Sequence, residues 1–132
     1  MNVTVKRKPT NKILVANADP TLYAAMVETA KRSELEVVEA EADAPKGIVA
    51  EAARTRPSVL AIDVGEMGFE AAQALRRRVR DGMIVVVVGD FDRGERELAR
   101  ETYAADAALG YEGFVEEFAA FLERLPQYRL YK

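Results

Sequence analysis

The chain alternates between two hydrophobic periods. Met83-Ile84-Val85-Val86-Val87-Val88 is uniformly apolar and mostly β-branched, the pattern of a central parallel strand covered on both faces. Pro57 leads into a second such run, Ser58 to Ile62, which stops at the carboxylate of Asp63. Lys12 to Ala16 is a shorter buried strand. Leu35 to Glu41 sets Val37 and Val38 among charges, as a half-buried strand near a sheet edge does, and Asp106 to Gly110 is a short last strand.

Between these runs the period lengthens to that of a helix. Leu22, Met26 and Ala30 mark a helix from Thr21 to about Arg32, with Asp19 as its cap and Pro20 in its first turn. Asp43 and Pro45 announce a second, whose apolar stripe is Ile48, Val49, Ala52 and Ala53. Phe69, Ala72, Leu75 and Val79 predict a third, ending at Asp81-Gly82. Arg93 to Tyr103 is a highly charged fourth helix, with Leu98, Ala99, Thr102 and Tyr103 as its apolar side. Phe114, Val115, Phe118, Phe121, Leu122 and Leu125 give a closing helix a strong apolar face before Pro126 stops it. Strand and helix thus alternate with short connections, which requires right-handed crossovers and an α/β fold of three layers, a parallel sheet between two helical layers.

Residues 12–125 form one domain on this reading. Residues 1–11, with Lys6-Arg7-Lys8, read as a flexible basic arm, and residues 126–132 as a tail carrying Tyr128, Leu130 and Tyr131. Composition narrows the chemistry. With 19 basic and 22 acidic residues the net charge is -3, which points to neither nucleic acid nor an anionic membrane as a partner. The absence of Cys and His removes disulfides, thiolate nucleophiles and the commonest metal ligand and general base, so any chemistry runs on carboxylates. No stretch approaches the roughly 20 apolar residues of a membrane span, and the N-terminus lacks the apolar core of a secretory signal; a cytoplasmic protein is expected.

Ligands of open parallel sheets gather outside the carboxyl ends of the strands, which makes Asp63 the residue to explain. Three stretches carry a family resemblance: Lys12-Ile13-Leu14-Val15 through Asp19-Pro20, Pro57-Ser58-Val59-Leu60-Ala61-Ile62-Asp63, and Gly68-Phe69-Glu70-Ala71. Together with their spacing, they resemble the receiver domains of bacterial two-component response regulators, over about Lys12 to Leu125. The resemblance implies the CheY-like, flavodoxin-like three-layer sandwich with strand order 2-1-3-4-5. It also implies that Asp63 stands where the family accepts a phosphoryl group from a histidine kinase.

The family's accessory groups are largely replaced. Its acidic pair for Mg²⁺ after the first strand reads Asn17 and Ala18 here, with Asp19 one residue late. Its hydroxyl at the end of the fourth strand is Val88, its switch aromatic is Ala108, and its Lys-Pro pair is Tyr111 and Glu112. No Lys or Arg occurs between Glu101 and Glu123. Phosphoryl transfer rests on positioning and on cations that neutralise spreading negative charge, so the expected function is a pseudo-receiver, a signalling module that binds proteins without a phosphorylation switch. A working receiver phosphorylated on Asp63 is the alternative. No cofactor is expected, although Asp19 and Asp63 with the Asn17 carbonyl offer a weak Mg²⁺ site, and Glu66, Asp90 and Asp92 are candidates to join it. A flavodoxin-like cofactor binder fits worst, because Asn17-Ala18-Asp19-Pro20 lacks the glycines and hydroxyls that cradle phosphate.

Two surfaces invite partners. In the family, the fourth helix, fifth strand and fifth helix commonly pair two receivers; Tyr103, Tyr111, Glu116 and Tyr128 are the candidate anchors of such a homodimer or of another protein. Arg76-Arg77-Arg78-Val79-Arg80 makes one helix arginine-rich and Glu112, Glu116, Glu117 and Glu123 make another acidic, which suits complementary docking as well as plain solvation.

Overall fold

The computed structural model describes residues 10–78 and 82–126. The N-terminal arm up to Pro9, Val79, Arg80 and the tail with Tyr128 lie outside the described residues. Five strands, β1 (Thr10–Ala16), β2 (Glu36–Glu39), β3 (Pro57–Asp63), β4 (Ile84–Gly89) and β5 (Ala107–Gly110), form one parallel sheet of order β2-β1-β3-β4-β5. Among the described residues five helices alternate with them: α1 (Pro20–Ala30), α2 (Pro45–Thr55), α3 (Gly68–Arg76), α4 (Arg96–Thr102) and α5 (Phe114–Glu123). The expected order is found. Every residue of β3 and β4 is buried, which is what their unbroken apolar sequences require.

The two helical layers differ in composition. On one face, Leu22 and Met26 of α1 and Phe114, Phe118 and Phe121 of α5 pack on Ile13, Val15, Val59, Ala61, Val86 and Val88. The rings of Phe114 and Phe118 stack with centroids 5.3 Å apart, and those of Phe118 and Phe121 at 6.3 Å. On the other face, Ile48, Ala52, Ala71, Leu75 and Ala99 of α2, α3 and α4 cover Leu14, Leu60, Ile62, Val85 and Val87. Three stacked phenylalanine rings mark the first layer, and alanines with aliphatic side chains the helices of the second.

Local chemistry sets the helix ends. Asp19 caps α1, its Oδ1 accepting from the Leu22 amide at 2.7 Å, with Pro20 in the first turn. Asp19→Ala is expected to lower stability by about 1 kcal/mol, readable as a fall of roughly 3 °C in unfolding temperature. Asp43 does not cap α2: that position is Ala44, without a side-chain bond. The buried Glu51 instead reaches back to the amides of Glu41 and Ala42 at 2.9 to 3.1 Å, satisfying its carboxylate inside the fold. α4 starts later than Arg93, because Asp92 and Glu95 exchange side chain-to-amide bonds at 3.0 Å and close a turn before it.

Four apolar positions fall outside the expected core. Phe69 is 73% exposed, since α3 buries Ala71, Ala72, Ala74 and Leu75 and residue 69 sits opposite that stripe. Leu98 is 67% exposed while its neighbour Ala99 is buried in the short α4. Val115 is 49% exposed, because α5 turns Phe114, Phe118 and Phe121 inward. Ala53 is exposed on α2.

Candidate site at the carboxyl end of the sheet

Asp63 ends β3 at 8% exposure, paired in register with Val88 of β4, which in turn faces Leu109 of β5. β5 ends one residue after that pairing, at Gly110, and Tyr111 follows directly. The Tyr111 hydroxyl donates to Asp63 Oδ1 at 2.7 Å, and the Gly65 amide donates to the same oxygen at 2.8 Å. A methyl group on residue 65 would lie 2.9 Å from the Tyr111 oxygen and 3.0 Å from Oδ1, so the bond requires glycine there. Tyr111 thus supplies a neutral phenol to one oxygen of the carboxylate.

The surroundings are negative. Burial, the hydrogen bond to Asp63 and the charges of Asp63, Asp19 and Asp90, in that order, push the Tyr111 hydroxyl well above its ordinary value of 10.0. The phenol therefore remains a donor at neutral pH. A folded-state pKa above the unfolded one gives stability that is present below about pH 10 and lost as pH rises beyond it, because the unfolded chain then releases a proton the folded chain keeps. Tyr111→Phe is expected to unfold about 1 kcal/mol more easily at pH 7. That gap should narrow in chemical denaturation curves taken above pH 10.

The remaining candidates are engaged elsewhere. Asn17, in a left-handed conformation at φ 62°, donates its Nδ2 to the Asp63 backbone carbonyl at 2.9 Å. Asp19 is spent on the α1 cap and Asp92 on the turn before α4. Glu66 and Asp90 are exposed. Among the described residues no three acidic side chains are grouped to hold a metal ion. These donors fit Mg²⁺ poorly, since Asn17 turns an N–H toward Asp63 and Tyr111 takes one of its oxygens.

Val88 is fully buried in the aromatic layer and offers no donor. Ala108 lies in the other layer, where Phe91 and Tyr103 pack, their ring centroids 6.3 Å apart. Tyr103 is thus half-buried on Phe91, and burial raises its hydroxyl pKa. Tyr111 and Glu116 are exposed along one hollow of about 440 Å³ with Asp19, Leu22 and Val115.

Sequence reasoning missed Arg96. From the start of α4 its guanidinium reaches over Gly110 and pairs with Glu117 of α5 at 2.5 Å. A cation therefore stands beside the end of β5, but a carboxylate already holds it. The signal was weak, because Arg96 and Glu117 lie far apart along the chain and on different helices.

No protein-family model matches the chain, and no curated protein is similar to it in sequence. Solved structures are similar in fold. A CheY-like protein, TadZ, from Pseudomonas aeruginosa is 19% identical with a TM-score of 0.66, over 86% of this chain and 98% of that one. The receiver domain of a Francisella response regulator is 18% identical with a TM-score of 0.68, over 92% and 98%. A response regulator from Thermotoga maritima is 13% identical with a TM-score of 0.67, over 90% and 98%.

Proposed function

We propose, from the receiver-domain fold, that the chain is a signalling module that works by binding proteins and does not switch by phosphorylation of Asp63. One observation carries this reading: the Tyr111 hydroxyl sits on Asp63 Oδ1, at the place where an incoming phosphoryl group needs a cation. A phenol donates one hydrogen bond and no charge, and the carboxylates of Asp19 and Asp90 add to the negative field. The nearby guanidinium of Arg96 is neutralised by Glu117. Attack by Asp63 would build up negative charge beside a single phenol bond, with no free cation at hand among the described residues to offset it.

Partners in this reading are proteins, recognised by shape and charge, and the domain is a binder rather than an enzyme. Among the described residues no helix is long and apolar enough to cross a membrane. The test is the intact mass of the protein after incubation with Mg²⁺ and a small acyl phosphate, beside Asp63→Asn. The expected result is no gain in either. A gain of one phosphoryl group that the Asn variant lacks would restore the working receiver, with a histidine kinase as its partner.

A further inference from the structure

The two helical layers present solvent surfaces that complement one another. On the first, α5 turns Val115 outward, with Ala119 and Leu122 half-buried beside it along a hollow of about 550 Å³ shared with α1. Glu116 and Glu123 stand two turns apart on the same side of this stripe, and Glu112 precedes the helix. All three carboxylates are exposed and make no ion pair among the described residues. The free edge of α5 is apolar and acidic.

On the opposite face, residues of α2 and α3 line a groove of about 540 Å³. Pro45, Val49 and Ala74 form its apolar floor, and the exposed cations Lys46 and Arg77 stand at its margins, with Glu70 as the acidic lining residue. Neither cation makes an ion pair among the described residues. A helix ridge with an apolar crest and a carboxylate edge is the shape and charge this groove accepts.

We infer that the groove between α2 and α3 binds the outer edge of α5 from a second copy of this chain, Val115 meeting the apolar floor and Glu116 and Glu123 meeting Lys46 and Arg77. The copy is chosen over a foreign acidic helix because the same chain carries both halves of the match. Since the two surfaces lie on opposite faces of one sheet, the contact is head-to-tail: each copy uses its α5 on one neighbour and its groove on another. Such a contact repeats, building open stacks, whereas pairing through α4, β5 and α5 would close as a two-fold dimer. One helix in one groove is a small interface, so association is concentration-dependent, and its charge component weakens with salt.

Sedimentation equilibrium of the full chain tests this. Wild type at low salt should increase in average mass with concentration past that of two copies, and fall back in 0.5 M salt to a degree set by screening, about 3 to 5 Å at that ionic strength. Glu116→Lys with Glu123→Lys should leave only monomers, as should Lys46→Glu with Arg77→Glu, each melting like wild type. Their equimolar mixture decides the matter. The first variant's basic groove accepts the second's acidic α5, and the first's reversed α5 matches the second's reversed groove, so together they should regain assembly past two copies. A mixture that stays monomeric, a dimer that survives both charge reversals, or a wild type that is monomeric throughout at low salt would overturn the inference. Phosphorylation plays no part in these readouts, so they stand or fall apart from the state of Asp63.

Discussion

Phe118→Ala is expected to destabilise the chain by about 4 kcal/mol, and to lower its unfolding temperature by roughly 12 to 16 °C for a domain of this size. Phe118 is fully buried, its ring stacked between Phe114 and Phe121 and packed on the residues of β1, β3 and β4. Truncation removes the middle ring of the series. The neighbouring rings cannot close the space without leaving their own contacts, because α5 holds them at fixed spacing and the sheet beneath is rigid. Calorimetry beside Phe118→Leu checks the mechanism. The leucine variant retains most of the volume and should lose less than half as much, whereas equal losses would mean that the aromatic stack matters more than the cavity.

The second large effect is expected from Gly110→Ala, about 3 kcal/mol of lost stability. Its methyl group would lie 2.4 Å from the Phe91 carbonyl oxygen and 2.6 Å from Arg96 Nη2. The arginine tip can swing aside, at the expense of its pair with Glu117, but the carbonyl belongs to the backbone and moves only with the β4–α4 connection. Because Tyr111 follows directly, the strain also displaces the phenol from Asp63. Two readouts should therefore change together in Gly110→Ala, the unfolding temperature and the alkaline titration of tyrosine by ultraviolet absorbance. Gly94→Ala, whose nearest neighbour is Asp92 Oδ1 at 3.5 Å, should be close to neutral in both.

Which parts of this molecule are legible in the sequence follows from the range of the forces involved. The runs at Val59 to Ile62 and Met83 to Val88 announce buried strands because burial on both faces leaves no room for polar residues, and the short connections then constrain the topology. Helix orientation is less legible. Phe69 reads as a core residue until one sees that the alanines of α3 satisfy a close approach to the sheet that a phenyl ring would prevent. Leu98 fails for a related reason: α4 is short, and Ala99 takes the one buried place its turn offers.

The site was half-readable. The strand order and the strand ends are legible, and they bring Asp63, Val88 and Tyr111 to one edge of the sheet. That the Tyr111 hydroxyl reaches Asp63 depends on a side-chain direction at a strand end and on a glycine two residues past the carboxylate. Neither is expressed in hydrophobic period. Arg96 and Glu117 find one another only because α4 and α5 flank β5, which no local pattern encodes.

The division of labour between the two layers also orders events in time. The alanine-rich face can be covered as synthesis proceeds, since α2, α3 and α4 follow one another along the chain and each meets strands already made or about to be made. The aromatic face cannot. Here α1 covers part of the face early, but the rings reside in α5, the last helix, so the remainder of that face stays bare until the end of the domain has emerged. Folding of the nascent chain is thus gated by its final helix, and a ribosome that stalls before Phe114 would release a sheet with part of one apolar face open to the chaperones.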